Sequence, residues 1–218
     1  MDRIPYRALL LLSMLLWPGS FAWGKPARVA TQPPQAETAK PEEMLPSGNL
    51  FSAEELSSNF GVHQFTPFGD SKFSFEILVP KGWESHLSEV DPDQLAHDTE
   101  GAVPMAEFAP GGADDVGIQV LYMRVPGTVA LDAFMDTYAK SNDGTIALRQ
   151  KLEIKGRALQ DVLMRTTDDS LGPIVNRVAS FRNGDIVFIF TGWGVPEKYE
   201  QYKRAFGAVL ASFNPAGK

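Results

Sequence analysis

The sequence predicts an α+β fold, an antiparallel sheet of about six strands flanked by helices. Three observations predict it. Strand-like runs come in series with tight turns between them, the surest turn being Arg182-Asn183-Gly184. Asn-Gly between apolar-rich runs is the strongest short-range hairpin signal, and such short links demand antiparallel pairing because a parallel pair needs a long crossover. Two stretches, 129–140 and 196–213, instead carry apolar residues at helical spacing and can cover a sheet.

The elements follow in order. Ser52-Ala53-Glu54-Glu55 has the form of a capping box, so a short helix starts there, runs through Leu56 and Phe60 and stops at Gly61. Phe73, Phe75, Ile77 and Val79 alternate and predict a half-buried strand, ended by Pro80-Lys81-Gly82-Trp83. Asp91-Pro92 offers an N-cap and a proline at the first helical position, which predicts a short helix to His97. Val103 to Ala109 and Val116 to Val125 read as strands about the turn residues 110–115. After Pro126-Gly127-Thr128, residues Val129 to Lys140 read as a helix with Leu131, Phe134, Met135 and Tyr138 on one face. Four strands are expected next: Ala147 to Ile154, Ala158 to Thr166, Ile174 to Phe181, and Asp185 to Trp193. Pro196 opens the last helix, which buries Tyr199, Tyr202, Phe206, Val209 and Phe213 and wets Lys198, Gln201 and Arg204.

The N-terminus precedes this domain with a different grammar. Arg3 and Arg7 lead an apolar run from Ala8 to Trp17, then Pro18-Gly19-Ser20 and the small residues Ala22 and Gly24. That order predicts a cleaved signal peptide over residues 1–24. The run falls short of the roughly 20 residues that span a bilayer; the alternative is an anchor that is never cut. Residues 25–50, with Pro26, Pro33, Pro34, Pro41 and Pro46, have little to bury and predict a disordered linker. Residues 51–214 form one domain and 215–218 a tail. The expected location is therefore periplasmic or secreted, with no transmembrane segment once the signal is removed.

Composition excludes several chemistries. Cysteine is absent, which removes a lipidated N-terminus, thiol nucleophiles and thiolate metal sites. The formal net charge is −7, and DNA, RNA or anionic lipid would require a basic stripe. The basic groups at 149–157 and 198–204 read as solvated faces. No G-x-S-x-G elbow or phosphate loop occurs, and no cofactor is expected. The histidines His63, His86 and His97 match no zinc spacing; His86, His97 and Asp98 are the weak metal candidates, better read as loop residues. Asp114-Asp115 and Asp168-Asp169 read as turns. The most unusual string is Gly192-Trp193-Gly194. Trp83 and Trp193 are candidates to line a groove for a partner, joined by Tyr199, because indoles give contact area at low entropic cost. The bland reading has both indoles capping the core.

The opening motif Phe73-Ser-Phe-Glu-Ile-Leu-Val-Pro-Lys-Gly-Trp83, the middle helix at 131–138 and the closing Ala208-Val-Leu-Ala-Ser-Phe213 resemble the Mog1/PsbP-like superfamily over residues 65–213. That superfamily includes PsbP, Mog1 and bacterial envelope proteins of the DcrB type. The resemblance implies an antiparallel sheet between helices, an α/β/α sandwich, and an accessory or binding role without a catalytic set to carry over. The expected function is thus that of an exported, non-catalytic accessory protein of the bacterial cell envelope, acting through contacts with an envelope or membrane-complex protein. The alternatives are a periplasmic small-ligand or metal-binding protein and an enzyme of an unrecognised class.

Overall fold

The computed structural model describes residues 50–89 and 102–215. The expected signal peptide and the helix at 91–97, with His97 and Asp98, lie outside the described residues; so do the linker up to residue 49 and the last three residues.

Helix α1 (Ala53–Asn59) forms with the expected capping box. The Ser52 hydroxyl accepts from the Glu55 N–H at 3.1 Å, and the Glu55 carboxylate accepts from the Ser52 N–H at 2.7 Å. Those two bonds favour the ionised acid and hold the Glu55 carboxyl below its ordinary value. The chain passes straight into β1 (Phe60–Phe65) and, after two 3₁₀ turns, into β2 (Phe75–Pro80) and β3 (Trp83–Leu87). Next come β4 (Ala102–Pro110), β5 (Val116–Arg124), α2 (Leu131–Ser141), β6 (Thr145–Ile154) and β7 (Arg157–Asp168). β8 (Gly172–Asn183), β9 (Ile186–Gly194), α3 (Pro196–Ser212) and β10 (Asn214–Pro215) complete it.

All pairings are antiparallel, in a seven-stranded sheet of order β3-β4-β5-β9-β8-β7-β6 and a three-stranded sheet of order β1-β2-β10. The α+β class stands, but the single sheet of about six strands is corrected to these two. Three short edge strands account for the difference. β1 is polar at its middle and begins at Phe60, immediately before the Gly61 that reads as a helix stop. β3 is Trp-Glu-Ser-His-Leu, with no apolar alternation and nearly all of it exposed. β10 has two residues. The opening strand belongs to the small sheet and starts at Phe75, with Phe73 in the preceding 3₁₀ turn.

Successive strand residues face opposite ways, and helices cover both faces of the large sheet. On one face lie α3 and the small sheet, around Phe75, Ile77, Phe108, Ile118, Phe190, Phe206 and Phe213. Gly192 lets α3 approach: a Cβ there would lie 2.6 Å from Phe206 Cγ. The same face holds a fully buried ion pair, Arg177 with Asp161, both 0% exposed. Arg177 donates from Nε to Oδ1 at 3.1 Å and from Nη2 to Oδ2 at 2.7 Å, and Gln150 adds a bond to Oδ2 at 2.8 Å.

On the other face, α2 seats Phe134, Met135 and Ala139 on a smaller core of Leu121, Val162, Val178, Val187 and Ile189. Arg182 ties down the approach to this helix by donating to the carbonyls of Val125 and Val129, each at 2.7 Å. Asp168 accepts from the N–H groups of Ser170 and Leu171, the turn geometry expected of it.

Candidate interaction face

Helix α2 has eleven residues and packs on β6, β7 and β8. Its core also takes in Leu121 of β5 and Val187 and Ile189 of β9; beyond it, β3, β4 and the stretches of β5 and β9 around Gln119 and Trp193 carry a different chemistry. The register sets one row straight across the sheet: His86 opposite Glu107, Glu107 opposite Gln119, Gln119 opposite Thr191, and Thr191 opposite Val178. The row continues through Val162 to Arg149. Its far end is neutralised by α2, whose Asp136 pairs with Arg149 and whose Asp132 lies 3.7 Å from it. Its near end is His86, Glu107, Gln119 and Thr191. No lysine or arginine alternates onto this face from β3, β4, β5 or β9.

Beside the row lies Trp193, opposite Gly117 on β5 and Asn176 on β8. Its indole rests on the glycine: a Cβ at Gly117 would sit 3.0 Å from the indole Nε1. Asn176 donates to the Thr166 hydroxyl at 3.0 Å. Trp193 itself is half-buried, so part of the ring remains open. At the margin of α2, burial pushes the Tyr138 hydroxyl up, while Thr191 beside it works the other way.

Glu107 is half-buried. Desolvation raises its carboxyl above the ordinary range, and His86 across the strand pair works against that shift. Because folding raises this group, the folded state holds its proton better than the unfolded chain. The stability tied to it is complete below the ordinary carboxylate range and is lost as pH rises through the raised value. Glu107→Gln is therefore expected to melt higher than the parent at about pH 7 and equally at about pH 3. Thermal denaturation at the two pH values checks this, and a parent that melts higher at neutral pH contradicts it.

The residues singled out from sequence do not converge. Trp83 packs edge-on against Tyr202 of α3, with centroids 5.4 Å apart. Trp193 lies on the opposite face of the sheet, so the two indoles line no common groove. Tyr199 is not a surface residue. It is 4% exposed and lies tilted against Phe206 in the first turn of α3, and among the described residues its hydroxyl has no hydrogen-bond partner. Burial drives that hydroxyl far above its ordinary value, with the charges of Arg177 and Asp161 as smaller, opposed influences. Removing an unsatisfied buried hydroxyl relieves a desolvation cost. Tyr199→Phe is accordingly expected to leave the melting temperature unchanged or slightly raised, and a marked drop would reveal a hydroxyl bond that matters.

His86 stands exposed on β3, its Nε2 4.0 Å from Glu84 Oε2. Its metal-candidate companions His97 and Asp98 lie outside the described residues. Among the described residues, no three His, Cys, Asp or Glu side chains gather to hold a metal ion, and no helix is long and apolar enough to cross a membrane. The row of Glu107, Gln119 and Thr191 was not singled out from sequence. Its signal was there in one form, a polar residue interrupting each of three apolar strands.

No protein-family model matches the chain, and no curated protein matches it. Several solved structures are similar to it. One is the solution structure of a cyanobacterial PsbP from Synechocystis, 15% identical, with a TM-score of 0.49, covering 78% of this chain and 97% of that one. Another is a protein of unknown function from Pseudomonas aeruginosa, 10% identical, TM-score 0.43, covering 72% and 99%. A third comes from Bacteroides thetaiotaomicron, 15% identical, TM-score 0.42, covering 71% and 48%.

Proposed function

We propose that this chain is an exported accessory protein that works by binding other proteins, in the assembly or support of a larger cell-envelope complex, and that it is not an enzyme. The observation that carries the reading is the face beside α2. There Glu84 and His86 of β3, Glu107 of β4 and Gln119 of β5 lie beside the partly open indole of Trp193, which rests on a glycine, and Glu107 is kept partly from water. Small-molecule sites enclose most of a ligand in a cleft. A broad sheet surface with an aromatic anchor and a polar surround instead has the anatomy of a protein interface. The basic start, short apolar run and small residues before position 25 support export.

The test is a cross-linking experiment in intact cells with the full chain, followed by fractionation and mass determination of the processed N-terminus. The expected result is a chain shortened near Gly24, located in the envelope, with discrete protein adducts. A full-length chain in the cytosol, or an enveloped chain without adducts at any cross-linker length, overturns the reading.

A further inference from the structure

The proposed binding role leaves open which surface is used and what it recognises. We infer that the face formed by Glu84, Glu107, Gln119 and Trp193 docks a cationic protein segment, one that brings arginine or lysine side chains to the two carboxylates and to the indole.

The argument rests on charge and on what the face lacks. Glu84 and Glu107 stand on adjacent strands, Glu84 opposite Ala109 and Glu107 opposite His86, with both carboxylates on the face beside α2. The strands around them supply no lysine or arginine to that face. The nearest cation in sequence, Lys81, donates its ammonium to the Ser57 carbonyl at 2.8 Å. At the opposite end of the same sheet the situation is reversed. There Arg149 and Lys151 meet Asp132 and Asp136 of α2, the lysine at 3.2 Å from Asp132. One half of the face is therefore electrostatically closed by the protein's own helix, and the other half carries acid without a strong counter-charge.

A half-buried carboxylate of this kind costs stability at neutral pH, as the expected gain from Glu107→Gln makes explicit. Groups that cost stability and sit on an exposed surface are candidates for function. Trp193 supplies the second element. Its indole packs closely on Gly117 and the residue stays partly exposed, which suits it to receive a guanidinium or ammonium group. Arginine is the better fit, since its planar fork pairs with a carboxylate and stacks on an indole.

This inference depends on the proposed binding role, and its test separates the two. The probe is a six-residue peptide alternating arginine and serine, titrated into the processed protein at low salt and followed by amide and indole N–H resonances. The expected result is saturable binding, with shifts confined to Gly117, Gln119, Thr191 and the Trp193 indole. An otherwise identical glutamate–serine peptide should not bind. The Glu84→Gln, Glu107→Gln double variant should bind at least about tenfold more weakly, because two charge-assisted contacts are lost, while keeping its dispersed spectrum. Trp193→Leu should weaken binding without altering its salt dependence. Shifts scattered over the surface, binding untouched by the double variant, or no saturation overturns the docking face. Should adducts form in cells while this titration fails, the binding role survives and only this surface falls.

Discussion

Asp161→Ala is expected to destabilise the fold by about 3–5 kcal/mol, the usual cost of breaking a buried ion pair from one side. The pair has no access to water, and removing the aspartate takes both carboxylate oxygens away from the Arg177 guanidinium, which stays buried on the strand between Leu163 and Gly192. Arg177→Met should cost a similar amount by stranding the carboxylate, which would then keep only the bond from Gln150 among those described above. The double variant Asp161→Leu, Arg177→Met should recover most of the loss, since a buried ion pair is often matched by apolar side chains of similar volume. Denaturant unfolding of the parent, Asp161→Leu, Arg177→Met and the double variant closes the cycle and gives the coupling directly. If the double variant is as unstable as the sum of the singles, the pair does more than neutralise itself.

The second large effect lies where α3 meets the sheet. Phe206 is fully buried, and Phe206→Ala is expected to cost about 3–5 kcal/mol through lost burial and the cavity left behind. Gly192→Ala should also be costly in the parent, because its methyl would fall 2.6 Å from Phe206 Cγ and 3.0 Å from Phe206 Cβ. The near side of Phe206 is tied to the helix backbone and cannot swing clear. In the Phe206→Ala background the clash with the ring disappears and only the 3.0 Å approach to Cβ remains, so Gly192→Ala should there cost much less than in the parent. Additive losses in the double variant would mean that the glycine is needed for another reason.

Much of this fold was legible in the sequence, and the reasons are local. The Arg182-Asn183-Gly184 turn joins β8 to β9 as expected, because hairpin chemistry resides in the turn itself. The Ser52–Glu55 box forms for the same reason. Both long helices show their apolar spacing, with Phe134, Met135 and Phe206 buried. The edge strands were not legible. β1 and β3 have few apolar residues to alternate, since each is covered on one side at most, and edge strands commonly carry polar side chains.

The site was less legible than the fold. Which residues stand side by side on a sheet depends on register between strands far apart in sequence. Glu107, Gln119 and Thr191 become neighbours only through the pairings of β4, β5 and β9. Trp83 and Trp193 are both aromatic residues at strand ends, and only strand parity puts them on opposite faces. The helical spacing makes Tyr199 a buried residue and its aromatic ring makes it a contact candidate; its place in the first turn of α3, 4% exposed, shows it buried.

The central claim is that this protein acts by contact through the sheet face beside α2. The most direct measurement is photo-cross-linking in intact cells, with a light-activated side chain placed singly at Gln119, at His86 or at Lys203 on the outer side of α3. The account predicts protein adducts from Gln119 and His86 and none from Lys203. Adducts from Lys203 alone, or from no position, would contradict it.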